Sequence, residues 1–253
     1  EKIKRRGIAG TFTVYKIGGA AAERGGSLDQ VERLMRLAND RTFSYGVAFD
    51  GCTLPGRDDA LFHVAAGQMD FGLGIHGEPG ISSAPWMPAP RLAESLVAAV
   101  LRERPSEVSG RAAIILNGLG ATKYEELFVL WGHVAPLLAG NGVEVVRPEV
   151  GELVTSLDMA GCSLSVTWLD DELEPLWLAP ADTPAFRRGD SGDLPEYEPA
   201  ETTLQEEIEI VTEPASADSL AAAATVRAAI DAKADVVALH EERLGAIDDD
   251  AAR

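Results

Sequence analysis

Residues 69–80 bring together the side chains in this sequence that are best suited to chemistry. A short apolar stretch leads into nine residues that hold one histidine (His76), one carboxylate (Glu78), four glycines and a proline. Because glycine lets the backbone approach a ligand and proline fixes the exit of the chain, His76 is predicted to lie on a rigid, exposed turn. An imidazole there can act as a nucleophile or transfer protons near neutral pH. On local chemistry alone, a surface or hydrogen-bonding role is the favoured interpretation.

Residues 72–77 also fit the Gly-x-Gly-x-x-Gly pattern of dinucleotide-binding proteins. In those proteins a helix begins where the pattern ends, and its N-terminus faces the pyrophosphate. Here the pattern is followed by residues 78–83 and then by a proline-rich stretch at residues 85–90, and no helix can begin there. The sequence therefore excludes a dinucleotide site of this type.

Other segments of the sequence indicate whether His76 has a catalytic role or only a structural one. Nine short blocks carry the information: residues 5–11, 15–23, 45–48, 52–55, 74–80, 117–122, 155–161, 169–172 and 179–185. In this order and at these spacings, the blocks resemble the second half of the substrate-binding domain of dihydroxyacetone kinases, from about residue 5 to residue 189. Because several blocks agree, the resemblance is more specific than any one motif.

The resemblance gives His76 a catalytic and substrate-binding role. In this family the histidine of the Gly-Ile-His-Gly-Glu-Pro-Gly block attacks the ketone carbon of the substrate, and the resulting hemiaminal holds the sugar while ATP phosphorylates its terminal hydroxyl. A neutral imidazole is a competent nucleophile toward a carbonyl, and such a tether selects ketones and aldehydes over polyols such as glycerol. Glu78 is expected either to orient the imidazole or to accept N–H bonds within its own turn.

The resemblance further implies a cytoplasmic homodimer that acts on dihydroxyacetone, with glyceraldehyde or a four-carbon ketose such as erythrulose as close rivals. The family's other substrate-pocket groups, in a Gly-His-Glu segment and at a downstream aspartate, do not occur in this sequence. We therefore expect a fragment that is inactive alone. Two alternatives stay open: a non-catalytic sensor or regulatory module that keeps the carbonyl-binding histidine, and an inactive truncated product.

Composition indicates a chain that can build a core and has no membrane or nucleic-acid partner. Hydrophobic residues make up 46% of the chain, and no apolar run approaches the 18 residues or so that suggest a membrane helix. The net charge of −19 argues against nucleic acid or an anionic membrane, because phosphate binding needs a basic face. Cys52 and Cys162 lack metal-ligand spacing and are predicted to be small core residues. No targeting segment is visible, which makes the cytoplasm the default location.

Hydrophobic periodicity predicts an α/β fold with a mixed sheet flanked by helices. Strands are predicted at residues 43–49, 69–75, 111–116, 143–146 and 162–169, and helices at residues 28–38, 91–104 and 123–139. Ser27 is the predicted N-cap of the first of these helices, with Leu28 on its apolar stripe. Residues 11–17 are ambiguous between strand and helix. The strand–helix–strand order from residue 111 implies a parallel pair, with residues 117–122 as a tight turn at the carboxyl end of its first strand.

After residue 189 the composition changes. Residues 190–213 contain nine acidic residues and no basic ones, which predicts an acidic linker over residues 190–215. One long alanine-rich helix is predicted over residues 216–253, with an apolar stripe that suggests a helix from a bundle. Its end resembles the first helix of the ATP-binding helical domain of the same kinases, where Asp248 matches an aspartate of the Mg²⁺ cluster. ATP and Mg²⁺ are thus implied for a longer parent, and neither is expected to bind this chain alone.

Overall fold

The computed structural model describes residues 6–57, 59–76, 78–189, 221, 223–225, 227 and 228. The chain divides into two units, residues 1–194 and 195–253. In the second unit, the described residues are helical. The predicted acidic linker, most of the predicted C-terminal helix and Asp248 lie outside the described residues, so these assignments stay predictions.

The first unit contains both strands and helices, as the periodicity predicted. Its helices are α1 (Gly10–Glu23), α2 (Leu28–Asp40), α3 (Ala89–Leu101), α4 (Tyr124–Gly140) and α5 (Glu174–Leu178). Its strands are β1 (Thr42–Ala48), β2 (Gln68–Phe71), β3 (Ser82–Pro85), β4 (Arg111–Gly118), β5 (Glu144–Val145), β6 (Glu149–Gly151), β7 (Gly161–Trp168), β8 (Ala181–Asp182) and β9 (Arg187–Arg188). Among these residues, no helix is long and apolar enough to cross a membrane.

Seven of the strands form one mixed sheet in the order β3-β2-β1-β7-β4-β5, with β6 also paired to β4. The pairs β3–β2, β2–β1, β1–β7 and β7–β4 are antiparallel, whereas β4 runs parallel to β5 and β6. The parallel pair β4–β5 encloses α4 and confirms the predicted strand–helix–strand unit. The remaining strands, β8 and β9, form a separate two-stranded sheet.

Strand β4, which lies between β7 and the edge strands β5 and β6, is buried on both faces, and this explains its continuous apolar sequence. Ile114 and Leu116 belong to a core cluster that also contains apolar residues of α3 and α4. Ala113 and Ile115 belong to a second cluster that contains residues of α1 and α5. The sheet is therefore flanked by helices on both sides, and the predicted fold class is confirmed.

Local signals explain several boundaries. The hydroxyl of Ser27 accepts a hydrogen bond from the Gln30 N–H (3.3 Å), and the Gln30 side chain accepts one from the Ser27 N–H (2.9 Å). This capping box begins α2 where predicted. Leu28, however, is 82% exposed, so its place on the buried stripe of α2 was wrong. Leu28 is the first residue of α2 and does not belong to the core cluster against which Val31 and Leu34 pack.

Two other expectations need correction. The strand predicted over residues 69–75 ends at Phe71, because Gly72 adopts φ +74° and turns the chain out of the sheet. The strand predicted over residues 143–146 is reduced to the two residues of β5. The ambiguous residues 11–17 belong to α1, whose alanine-rich second half favours a helix.

Candidate functional site

His76 lies in the connection between β2 and β3, an antiparallel pair at one edge of the sheet. The connection is closed at its base by a hydrogen bond from the Ile81 N–H to the Phe71 carbonyl (2.8 Å). The His76 side chain is 80% exposed, as expected for a turn residue. Residues 78–81 form no helix, in agreement with the exclusion of a dinucleotide site.

Of the two roles that the sequence left open for Glu78, the hydrogen bonds within its own turn are observed, whereas orientation of the imidazole stays a prediction. Its Oε2 accepts a hydrogen bond from the backbone N–H of His76 (2.9 Å). Its Oε1 lies 3.7 Å from Nδ1 of the imidazole, which is within electrostatic range but too long for a direct hydrogen bond. Gly74 leaves room for this carboxylate, since a Cβ there would lie 2.1 Å from Oε2. The same carboxylate therefore accepts a backbone hydrogen bond of the turn and lies beside the imidazole.

The pKa of the Glu78 carboxyl lies below its ordinary value. Burial acts to raise this pKa, but it is outweighed by hydrogen bonds from the backbone N–H groups of His76 and Glu78 and by the charges of His76 and Arg6. Glu78 is therefore an anion at neutral pH, and His76 faces a fixed negative charge.

His76 borders a cavity of about 570 Å³. Three segments line it: the start of the described chain with α1, the β2–β3 connection, and the loop after β6, which contribute Arg6, Gly7, Ile8, Thr11, Phe12, Tyr15, Gly74, Ile75, His76, Glu78, Leu153 and Val154. The volume falls within the range of about 300–1,000 Å³ that is usual for small-molecule sites. A neighbouring cavity of about 420 Å³ along β1 is lined by neither a histidine nor a cysteine.

The loop that carries Leu153 and Val154 is fixed by Asn117 at the end of β4. Asn117 is fully buried; its Nδ2 donates to the Val154 carbonyl (2.8 Å), and its Oδ1 accepts from the N–H groups of Leu153 (2.9 Å) and Val154 (2.8 Å). The turn at residues 117–122 was interpreted as a structural βα turn, and these contacts are structural. The Asn117 side chain nevertheless influences the shape of the cavity, because it holds Leu153 and Val154 in one wall.

One residue that lines the cavity adopts a left-handed backbone conformation, which residues other than glycine rarely take. Ile8 has φ +42°; among the described residues other than glycine, Arg147 (φ +44°) and Leu157 (φ +53°) also have a positive φ. Such conformations persist only where the surroundings enforce them, and they concentrate at functional sites. The conformation of Ile8 therefore supports the choice of this cavity as the candidate site.

No cluster of three or more His, Cys, Asp or Glu side chains that could hold a metal ion occurs among the residues that the structure describes. Asp248, the predicted Mg²⁺ ligand, lies outside them. Cys52 and Cys162 are both buried, and burial raises the pKa of the Cys162 thiol to about 12. Both cysteines are thus core residues, as predicted.

Comparison with known proteins identifies the family of this chain. The profile of the Dak1 domain matches residues 1–185. This chain belongs to the dihydroxyacetone kinase family. D-erythrulose kinase of Mycolicibacterium smegmatis is 53% identical over 98% of this chain and 43% of its own length. L-erythrulose kinase of Pectobacterium atrosepticum is 51% identical over 97% of the chain and 42% of its own length. The chain thus spans less than half the length of these relatives.

Solved structures agree with this assignment. The dihydroxyacetone kinase of C. freundii, crystallised with AMP-PNP and Mg²⁺, is 31% identical, with a TM-score of 0.64 over 83% of this chain and 38% of its own. The dihydroxyacetone kinase operon co-activator DhaQ is 33% identical, also with a TM-score of 0.64, over 69% of this chain and 54% of its own. The family that the sequence blocks suggested is therefore confirmed.

Proposed function

We propose that this member of the dihydroxyacetone kinase family is the substrate-binding part of an ATP-dependent kinase of short ketoses, and that His76 binds the substrate carbonyl covalently. One observation carries the proposal: the exposed imidazole of His76 borders a cavity of small-molecule size while its Nδ1 faces the carboxylate of Glu78. A homodimer in the cytoplasm, as the resemblance implies, is part of the same proposal.

The geometry supports attack by Nε2. Of the two tautomers of a neutral imidazole, the Glu78 carboxylate, 3.7 Å from Nδ1, favours the one with the proton on Nδ1, which leaves the lone pair on Nε2. This lone pair forms a bond to the carbonyl carbon while the C=O π electrons move to the oxygen, which takes a proton from water. Nδ1 then releases its proton to water. The product is a neutral hemiaminal that contains every atom of the substrate.

The tether assists the later phosphoryl transfer by fixing the position of the terminal hydroxyl. Phosphoryl transfer depends mainly on positioning and on charge stabilisation, so a covalently held acceptor contributes directly to it. ATP and Mg²⁺ would supply the phosphoryl group and neutralise its charge in the longer kinase. The described residues contain no metal cluster for this second role.

Two comparisons favour a fused kinase that acts on a four-carbon ketose. The erythrulose kinases match 97–98% of this chain, including the residues after 189. A PTS-dependent dihydroxyacetone-binding subunit of Listeria innocua matches only 72%. The identities of 51–53% to erythrulose kinases favour erythrulose, ahead of the dihydroxyacetone that the sequence analysis placed first.

A second candidate is a non-catalytic carbonyl sensor. It is favoured by the similarity to the co-activator DhaQ, whose TM-score equals that of the C. freundii kinase. Both candidates use the same histidine chemistry. Phosphorylation of erythrulose by the full-length parent separates them, since a sensor binds the ketose without turnover.

The His76 adduct is tested by native intact-mass spectrometry of this chain with erythrulose, dihydroxyacetone or glycerol. We expect one substrate mass to add with either ketose and none with glycerol. His76→Ala should abolish the adduct and leave the fold intact, because an exposed side chain contributes little packing energy. His63→Ala is the matched control, since His63 is also exposed on a loop. An adduct that persists in His76→Ala, or disappears in His63→Ala, contradicts the assignment.

A further inference from the structure

The peptide group between Ile75 and His76 is held at both of its polar ends. The Ser156 hydroxyl donates a hydrogen bond to the Ile75 carbonyl (2.5 Å). On the other side of the same peptide plane, the His76 N–H donates to Glu78 Oε2 (2.9 Å). Because both groups of one planar unit are engaged, the orientation of the plane that leads into His76 is fixed.

Ser156 is itself held by its backbone. Its N–H donates to the Leu119 carbonyl (2.7 Å), and its carbonyl accepts from the Met159 N–H (3.0 Å). The residue is only 9% exposed, and its hydroxyl also lies 3.9 Å from the Cys52 sulfur. The hydroxyl therefore reaches the Ile75 carbonyl from a fixed position.

The loop around Ser156 is attached to the buried strand β4. Asn117, the penultimate residue of β4, binds Leu153 and Val154 through three side-chain hydrogen bonds. Leu157, directly after Ser156, is in the left-handed conformation, and its carbonyl oxygen occupies the space that a Cβ at Gly120 would need (2.0 Å). Ser156 thus connects the exposed β2–β3 turn to the loop that is bound to the end of the buried strand β4.

We propose that Ser156 is a positioning residue for His76, an inference that rests on the proposed covalent role of that histidine. The His76 side chain is 80% exposed and has little packing of its own, so its direction depends on its backbone. Attack on a carbonyl requires the nucleophile to be held in a narrow range of distance and angle. Without the Ser156 hydroxyl, the Ile75 carbonyl loses its donor and the peptide plane can rotate away from the cavity.

The test compares the dissociation constant of the erythrulose adduct among variants, each measured on the folded protein after circular dichroism and urea unfolding. Ser156→Ala is expected to weaken the adduct about tenfold, the effect of one lost hydrogen bond to a fixed group. Ser156→Thr, which keeps the hydroxyl, should recover most of this loss. Ser165→Ala is the matched control, because Ser165 is also buried and its hydroxyl bonds to Ser44 (2.6 Å) in β1 rather than to a residue of the β2–β3 turn.

Each result has a defined meaning. If the wild-type chain forms no adduct, the proposed function fails. If the wild type forms it and Ser156→Ala binds within twofold of wild type, the positioning role fails while the function of His76 stands. A loss of the same size in Ser165→Ala would show a general effect of destabilisation and would also overturn the inference. Should Ser156→Ala not fold, Ser156→Cys, which keeps the size but has only a weak donor, is measured against the same limits.

Discussion

At the scale of single residues, the backbone rather than packing determines where His76 points. Its imidazole is exposed, whereas its peptide group is bound by Ser156 and Glu78. Ile8, which is in the left-handed conformation, lines the cavity that His76 borders. The geometry of this exposed side chain therefore depends on the groups that bind the turn, and substitutions in those groups are the sharpest tests of the proposed site.

Glu78 should make the turn sensitive to acid. Because the pKa of its carboxyl is lower in the folded chain than in the unfolded one, the ionised form stabilises the fold above the unfolded pKa. This contribution is lost as the pH falls through the folded pKa. We expect Glu78→Ala to lower the free energy of unfolding by ~1 kcal/mol at pH 7, the usual value of a hydrogen bond.

Urea unfolding at pH 7, 5 and 4 measures this effect, with Glu78→Gln as the matched variant. Glutamine keeps an oxygen that can accept the His76 N–H bond but cannot ionise, so the difference between wild type and Glu78→Gln should shrink as the pH is lowered. A difference that stays constant or grows over this range would contradict the assigned direction of the pKa change.

The sequence predicts the candidate nucleophile, His76, but gives no sign of Ser156, which binds its turn. His76 is recognisable because its neighbours in the chain form a motif. Ser156 is 81 residues away from Ile75, and their hydrogen bond exists only after β4, β7 and the loop after β6 have come together. The blocks at residues 117–122 and 155–161 contributed to the family resemblance, but their side-chain roles depend on tertiary contacts that periodicity does not encode.

At the scale of elements, the sequence pattern predicts most helices and strands but misses the boundaries that depend on tertiary structure. Long periodic segments such as α4 and β4 were predicted to within a few residues, because burial on one or both faces leaves a clear pattern. The short β2 was extended too far, since the positive φ of Gly72 ends it and an apolar run gives no sign of that. Leu28 was placed on the buried face of α2 by spacing alone, although the core does not reach that end of the helix.

Helix α1 contains a buried lysine that should make its docking dependent on pH. Nζ of Lys16 donates to the Leu176 carbonyl in α5 (3.0 Å), and the residue is only 9% exposed. Burial, and then the charges of Arg188, Arg24 and Arg147, lower its pKa to about 8, against a partial opposing effect of Glu149. The charged form is therefore disfavoured in the folded chain relative to the unfolded one.

Between pH 8 and about 10.4, the unfolded chain binds more protons at this lysine than the folded chain does, so this group increases stability as the pH rises. Lys16→Met removes the titration and keeps an unbranched side chain. We expect the free energy of unfolding of wild type, relative to Lys16→Met, to increase from pH 7.5 to pH 10 in urea titrations. A relative decrease over that range would show that the charged lysine is favoured in the fold.

At the scale of the whole molecule, the proposed ketose site and the predicted Mg²⁺ ligand fall in different units of the chain. The chain carries a net charge of −19 and spans 42–43% of the length of the erythrulose kinases it matches. The cavity with His76 belongs to the first unit, whereas Asp248, the predicted Mg²⁺ ligand, falls in the second. We infer that binding of the ketose does not require the nucleotide.

Calorimetry of this chain with Mg-ATP tests that separation. We expect no specific binding up to millimolar nucleotide, because the described residues offer no metal cluster and a strongly acidic chain repels an anionic nucleotide. The same preparation should form the adduct with erythrulose, which controls for loss of the folded protein. A micromolar dissociation constant for Mg-ATP would show that a phosphate site exists within these 253 residues. The inferred separation of the ketose site from the nucleotide site would then be wrong.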